Sequence, residues 1–403
     1  MSTRPRLLVL NQYYWPGVEA TAHLLTELCE ALAETHDVTV LTGAVRGKPS
    51  HETRKGVTIQ RVRSTTYDRS HLVRRGLNYL TYATGSIFRA MFSRRPDLVM
   101  CMTDPPFAAS IARLVAARFR APLLIVMQDV FPEIAVKLGR LRNPVVIRLL
   151  RMLIDPAVRA ADRVVVIGET MKRRVEEKGV ASDRIRVIPN WGDAGDVVPM
   201  PHANEWAKRH KLVKRFVVMH SGNIGHAQNL DALVRATTFL RDLDDLAVVL
   251  IGSGARRAEL VALTRRLEAD KVEVFPYQTR TVLSQSLSTA DVHVVGLARG
   301  LAGYVVPSRV YGILAAGRPI IAATDADSET AQLVTQAGCG IVVRPGDPFA
   351  LAAVIRAAHD GEYDLEEMGR RARAFAEAES DRSIAVKRYR AVIDELQEAG
   401  ARR

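Results

Sequence analysis

The segment Ser221-Gly222-Asn223-Ile224-Gly225 follows an apolar run at Phe216–His220 and precedes a helical pattern expected from Asn229. Two glycines three apart at a strand end let backbone come close to a ligand. The free N–H groups of a following helix would face an anion, so the segment suits a diphosphate. An ordinary structural turn has the same composition. Further on, Val306-Pro307-Ser308-Arg309 opens a short helical stretch. Ser308 reads as its N-cap, which sets Arg309 in the first turn, where a cation opposes the helix dipole. A bound anion would account for a cation there; a solvated arginine is the plainer alternative. A third loop, Asn11-Gln12-Tyr13-Tyr14-Trp15-Pro16-Gly17, follows the first strand. Gly17 again allows close backbone approach, although the dinucleotide pattern G-x-G-x-x-G is absent.

Carboxylates appear in a different place. The apolar run Pro122–Met127 ends in Gln128-Asp129-Val130-Phe131-Pro132-Glu133. A carboxylate beyond the carboxyl end of a strand points to where ligands bind in such sheets. Asp129 is therefore the candidate to orient or deprotonate a substrate hydroxyl, with Glu133 second; a helix-capping role for Asp129 is the structural alternative. Asp325-Ala326-Asp327 forms an acidic D-x-D, read as a surface loop. No His/Cys cluster has metal spacing, so neither a metal nor another cofactor is expected.

These residues need a frame. Apolar runs of strand length alternate with helical patterns from end to end, which predicts an α/β protein with parallel sheets covered by helices. The pattern breaks at Ile188-Pro189-Asn190-Trp191-Gly192, and a second α/β series starts at Phe216. Two Rossmann-like doubly wound domains are expected at 1–190 and 191–380, facing a cleft, with a charged C-terminal helix at 381–403. Sheets of this kind bind ligands at their carboxyl edges, which suggests one substrate per domain. At 403 residues with 48% hydrophobic and 25% charged content, the chain can build such cores. Cys29, Cys101 and Cys339 are too few and too scattered for a disulfide framework and suit a reducing cytosol. The N-terminal residues lack a leader pattern, and no run is long and apolar enough to span a bilayer.

In their order and spacing, Ile188-Pro189-Asn190, Ser221-Gly222-Asn223-Ile224-Gly225, Val306-Pro307-Ser308-Arg309 and Leu314-Ala315-Ala316-Gly317-Arg318-Pro319 resemble glycosyltransferase family 4. The likeness is greatest to its WbuB-like branch, which builds bacterial cell-surface polysaccharides. The resemblance implies the GT-B fold, a nucleotide-sugar donor held by the second domain, no metal, and hexosyl or N-acetylhexosaminyl transfer with retention. It implies that Gly222, Asn223 and Gly225 border the donor diphosphate, with Ser308 and Arg309 beside it. It also implies that Tyr277, in Phe275-Pro276-Tyr277, lies near the nucleobase, and that Glu329 occupies the family's acidic position after the next strand. Two glutamates usual in the family are replaced here by Tyr304 and Gly312. Glu329 is the expected substitute for ribose binding.

The net charge of +13 is one-sided. Residues 1–190 hold 30 of the 57 basic and 17 of the 44 acidic residues, so the second half is neutral. Between Arg69 and Arg95 lie six arginines and no acid, interleaved with Leu72, Leu77, Leu80, Phe88 and Phe92 at roughly helical spacing. A basic amphipathic helix of this kind fits an anionic membrane surface at the inner face of the plasma membrane. A core-packed helix with a solvated arginine face is the other reading. A lipid-linked or polysaccharide-precursor acceptor would fit the membrane reading. Nucleic acid is not an expected partner, because no recognition motif accompanies the basic face. The oligomeric state is not legible. Two further readings share the same residues: an epimerase acting on the donor alone, and a catalytically degenerate nucleotide-binding module.

Overall fold

Strands buried on both faces are largely apolar, and the central strands here follow that rule. The runs Leu-Leu-Ile-Val-Met at Leu123–Met127 and Leu-Ala-Val-Val-Leu-Ile at Leu246–Ile251 are buried at every position. The computed structural model describes residues 4–17, 20–67, 72–192 and 194–401. The chain forms two compact units, 1–189 with 385–403, and 190–384.

The first unit runs β1 (Arg6–Leu10), α1 (Ala20–Leu32), β2 (Asp37–Thr42), β3 (His51–Arg54), β4 (Val57–Arg61), α2 (Leu72–Met91), β5 (Leu98–Cys101), α3 (Ala108–Phe119), β6 (Leu123–Met127), α4 (Glu133–Lys137), α5 (Pro144–Arg159), β7 (Arg163–Val166), α6 (Glu169–Glu176) and β8 (Ile185–Val187). Its eight strands lie in the order β3-β4-β2-β1-β5-β6-β7-β8. All pairings are parallel except β3 with β4. The strand β3 was not expected. Its sequence, His-Glu-Thr-Arg, has no apolar run because it is an edge strand with its side chains half-exposed or exposed. Helix α5 lies between β6 and β7, where the alternating pattern calls for a helix; Asn143 caps it by accepting from the amides of Val145 and Val146, and Pro144 opens it.

The second unit runs α7 (Glu205–Arg209), β9 (Phe216–Ser221), α8 (Asp231–Ala236), β10 (Leu246–Ile251), α9 (Arg257–Arg266), β11 (Val272–Phe275), α10 (Arg280–Ser288), β12 (Val292–Gly296), α11 (Arg309–Ala315), β13 (Ile320–Ala323), α12 (Glu329–Ala337), β14 (Gly340–Val343), α13 (Pro348–His359) and α14 (Leu365–Glu379). Its six strands are all parallel, in the order β11-β10-β9-β12-β13-β14. Counted within the unit this is 3-2-1-4-5-6, the doubly wound order, and its direction reverses beside β9. The two Rossmann-like sheets expected from the alternating pattern are present.

The last helix, α15 (Arg382–Ala401), is not a separate element. From residue 385 it belongs to the first unit. There Arg390 Nη2 donates to Ala31 O and pairs with Glu34, each at 2.6 Å, and Glu395 pairs with Arg163 and Arg186. All three cysteines are buried and unbridged.

Candidate active site

Strand β9 reads Phe-Val-Val-Met-His-Ser, and its one ring nitrogen pair is fully buried at His220. A polar side chain there must be hydrogen-bonded. His220 Nδ1 lies 3.2 Å from Val294 O on the neighbouring strand β12. Assigning that nitrogen as the donor leaves Nε2 as an acceptor, and Arg309 Nη1 donates to it in a close contact. Burial first, and the Arg309 charge second, hold the His220 pKa well below the ordinary histidine value, so the ring is neutral.

Arg309, the first residue of α11, reaches over the loop that follows β9. Its Nη2 donates to Asn223 O at 3.3 Å. A β-carbon placed on Gly222 would lie 3.0 Å from Arg309 Cζ, and Gly222 has φ +141°, so the position admits glycine only. Arg309 forms no ion pair with a carboxylate among the described residues, and its Nε is shut off from solvent without a hydrogen-bond partner. Burial pushes its pKa down to about 10, which still leaves it charged at neutral pH. A fixed guanidinium with an orphaned donor and no counter-ion is a site for an anion.

Two further loops complete the edge. After β10, Gly252-Ser253-Gly254 packs directly on the β9 loop: β-carbons at Gly252 and Gly254 would lie 1.8 Å from Gly222 O and 2.3 Å from Ile224 O. The amide of Ile224 donates to Ser253 O at 2.9 Å. After β11, Tyr277 is 55% exposed, with its hydroxyl hydrogen-bonded to the Ser253 backbone. Burial raises the Tyr277 pKa, and the Arg309 charge opposes that shift, so the phenol and the guanidinium are neighbours.

Of the residues singled out from sequence, Gly222, Asn223, Gly225, Tyr277 and Arg309 are brought together at the carboxyl edge of β9, β10 and β11. Gly225 N donates to the Gln228 side chain at 3.0 Å, which tightens a single 3₁₀ turn at His226–Gln228. The helix expected from Asn229 therefore starts only at Asp231, because Asn229 takes a left-handed conformation at φ +48°. Ser308 is adjacent to Arg309 but does not cap α11: its own backbone is already helical (φ −61°, ψ −19°) and its side chain makes no capping bond. At seven residues α11 is also too short to carry a helix-dipole argument. Glu329 opens α12 after β13, and its charge raises the pKa of the buried Tyr311 hydroxyl after burial itself.

The remaining candidates lie in the first unit. Gly17 lines a cavity of about 310 Å³ off the ends of β1, β2 and β4, together with Gln12, Tyr13, Arg46, Tyr67 and Asn78. Asp129 follows β6 and is half-buried. Glu133 is corrected: its two carboxylate oxygens pair with Arg151 at 3.0 Å and Lys178 at 2.7 Å, and the buried Lys178 also holds Asp155 at 2.8 Å. A carboxylate held by two cations is fixed in place by them. Asp325 of the D-x-D accepts from the Gly300 amide at 2.6 Å, which ties down a surface loop. The basic stretch forms α2 as expected, although Arg69 lies outside the described residues. Sequence reasoning passed over His220 and the Gly252-Ser253-Gly254 loop. The signals were a histidine inside an otherwise apolar strand and a G-x-G directly after one.

Comparison with known proteins gives a consistent pattern. Residues 19–191 match the family described as a glycosyl transferase 4-like domain, and residues 203–375 match glycosyl transferases group 1. The chain is 26% identical over 404 residues to the probable glycosyltransferase WbjE of Pseudomonas aeruginosa, covering 97% of this chain and 98% of that one. It is 29% identical over 295 residues to the putative colanic acid biosynthesis glycosyl transferase WcaI of Escherichia coli K12, covering 71% and 72%. Among solved structures, HepE of Anabaena in complex with UDP-glucose superposes with a TM-score of 0.75 over 97% of this chain and 99% of that one, at 15% identity.

Proposed function

Since this chain belongs to the GT-B glycosyltransferases, with a 4-like N-terminal domain and a group 1 C-terminal domain, we propose that it transfers a hexosyl or N-acetylhexosaminyl group from a UDP-sugar to a lipid-linked or polysaccharide-precursor acceptor in cell-surface glycan synthesis, with retention. The observation that carries the donor half of this reading is Arg309, a charged guanidinium with an orphaned Nε and no counter-ion, held over a glycine loop at the switch point of a doubly wound sheet. The names of the relatives support the glycan setting: one is a putative colanic acid enzyme, and the solved neighbour HepE holds UDP-glucose.

In the reaction the bond from the anomeric carbon to the β-phosphate oxygen breaks, and the electron pair leaves on the diphosphate. Arg309 stabilises that charge together with the Asn223 amide, the amides of Gly222, Ile224 and Gly225 being used to hold the loop itself; a fixed electrostatic contribution of this kind lowers such barriers most. The acceptor oxygen bonds to the anomeric carbon on the face the phosphate leaves. Asp129 orients the acceptor hydroxyl and takes its proton. Glu329 binds the ribose in place of the family's usual glutamate, and Tyr277 borders the base. The guanidinium supplies the countercharge, so the reaction proceeds without a metal.

The enzyme reading is tested by following radiolabelled sugar from a UDP-sugar into a lipid extract. Asp129→Asn is expected to lower kcat by about 100-fold, the usual worth of a positioned base, with unchanged affinity for UDP. Equal kcat in the variant would show that Asp129 is structural. Consumption of the donor with no acceptor present would favour an epimerase instead. Donor binding without either reaction would favour a binding module.

For the acceptor side we infer that the first unit docks at the inner face of the plasma membrane. Helix α3 packs against both α2 and α5. Together the three expose Leu77, Leu80, Phe88, Leu114, Val145, Val146, Leu149, Met152 and Leu153, with Phe92 directly after α2. Their only acid is Asp155, which is paired with Lys178, whereas Arg74, Arg89, Arg113, Arg118, Arg148 and Arg151 are all on these helices. Apolar side chains interleaved with arginines fit an anionic bilayer surface, where each basic group contributes about 1 kcal/mol. No helix among the described residues is long and apolar enough to cross a membrane. Sedimentation is expected to show binding to phosphatidylglycerol vesicles that weakens with salt, and a clear loss in the variant Phe88→Ser with Leu149→Ser. Equal binding to phosphatidylcholine vesicles would contradict the electrostatic part.

A further inference from the structure

The site as described leaves one question of charge. An arginine placed to hold a phosphate has to be fixed in position before the phosphate arrives, and side-chain guanidinium groups are most often fixed by a carboxylate. A carboxylate would also cancel the charge and compete with the phosphate for the same N–H groups. Arg309 has another arrangement. Its Nη1 donates to His220 Nε2 and its Nη2 to Asn223 O, both uncharged acceptors.

We propose that His220 is the positioning residue for Arg309, an imidazole acceptor that fixes the guanidinium over Gly222 while leaving its full charge for the donor diphosphate. The inference rests on the donor-binding reading above. Three observations carry it. His220 is fully buried in β9 and is itself locked by Val294 O, so its ring cannot turn away. Its Nε2 faces the guanidinium, and the ring also lies against the Asn223 backbone, the second group the guanidinium touches. The guanidinium, held on its Nη1 and Nη2 side, retains Nε without a partner, next to a loop where glycine alone fits. Burial and the adjacent cation both keep the ring unprotonated, so the pair does not become two cations in contact. The same position filled by leucine would let Arg309 swing toward solvent, where it could still attract an anion but not meet it in a fixed orientation.

The test is a binding cycle read by calorimetry, using whichever of UDP, GDP and dTDP binds the wild-type chain most tightly. His220→Leu is expected to weaken binding by about tenfold or more, near the worth of one hydrogen bond to a charged group. His220→Gln, which offers a side-chain oxygen to the same N–H, is expected to recover most of that loss. In an Arg309→Ala background His220→Leu is expected to add nothing, because the residue it positions is gone. A residue that merely fills the core would cost the same in both backgrounds. His220→Phe fills the same space and replaces the leucine variant if that one does not fold. The inference is overturned if the leucine variant binds like wild type, or if its loss is undiminished without Arg309. If the wild-type chain binds none of the three nucleotides, the donor-binding reading fails first and takes this one with it; binding that is indifferent to His220 overturns this inference alone.

Discussion

Replacing Arg309 with alanine is expected to lower kcat/KM for the nucleotide-sugar donor by about 100- to 1000-fold. The magnitude follows from the hydrogen bonds at stake. Nε has no partner in the protein, and Nη groups already committed to His220 and Asn223 still have a second N–H to offer. Each charge-assisted bond to a phosphate contributes about 1.5–3 kcal/mol, and every ~1.4 kcal/mol is a factor of ten. The diphosphate is also the leaving group, so part of the loss falls on kcat rather than on binding. A second expectation has the opposite sign. Arg309 is a desolvated cation with no counter-ion, so its removal should leave the melting temperature unchanged or raise it. Lower activity together with equal or higher stability would mark Arg309 as a residue retained for function. Wild-type kinetics in the variant would remove it from the site.

The substitution Gly252→Ala is expected to have the largest structural effect of any single methyl group added at this edge. Gly252 has φ +145°, a conformation that L side chains rarely adopt, and the added carbon would meet the Gly222 carbonyl oxygen at 1.8 Å and its carbon at 2.9 Å. Both obstacles are backbone, so no rotamer relieves them. The carboxyl ends of β9 and β10, which pair through Ile251 and Ser221, would have to separate. Strain and clash of this kind cost about 3–5 kcal/mol. Donor affinity should fall with it, because the Gly222 loop moves away from Arg309. Gly300→Ala is the matched control: φ is also positive, at +76°, but nothing lies within 4 Å. It should cost only about 1 kcal/mol and leave donor binding intact. Chemical denaturation of both variants gives the comparison, and equal stability of the two would contradict the packing described for the two glycine loops.

The parts of this account that sequence made legible share a physical basis. Parallel strands covered on both faces are near-continuous apolar runs, so β6 and β10, and β9 up to His220, stand out from their surroundings. An edge strand has no such requirement, which is why His51–Arg54 left no trace. Helix α5 did leave signals, an asparagine cap and a proline at its start, but half of its apolar positions are exposed and do not follow a buried stripe. Glycines at a strand end mark the β9 loop in the sequence. The same reasoning did not extend to Gly252-Ser253-Gly254, whose partner loop is about thirty residues away in sequence and adjacent only once β9 and β10 pair.

Side-chain roles that depend on distant partners were the least accessible. Glu133 looks like a free carboxylate in sequence; its setting is decided by Lys178, which folds back to hold Glu133 and Asp155 together. Ser308 has the residue type of a helix cap but not the backbone, since helical dihedrals already begin at that residue. Arg309 opposes a helix dipole by position, but α11, at seven residues, has little dipole to oppose. The better reason is electrostatic and local: a charge with neutral acceptors on one side and an orphaned donor on the other.

The central claim is that this guanidinium and the loop beneath it receive a diphosphate. Diffraction from crystals soaked with UDP tests it most directly. Phosphate oxygens are expected within hydrogen-bonding distance of Arg309 and of the Asn223 amide, with the uracil toward Tyr277. Nucleotide bound with its phosphates away from Arg309, or a vacant loop at saturating UDP, GDP and dTDP, would contradict it.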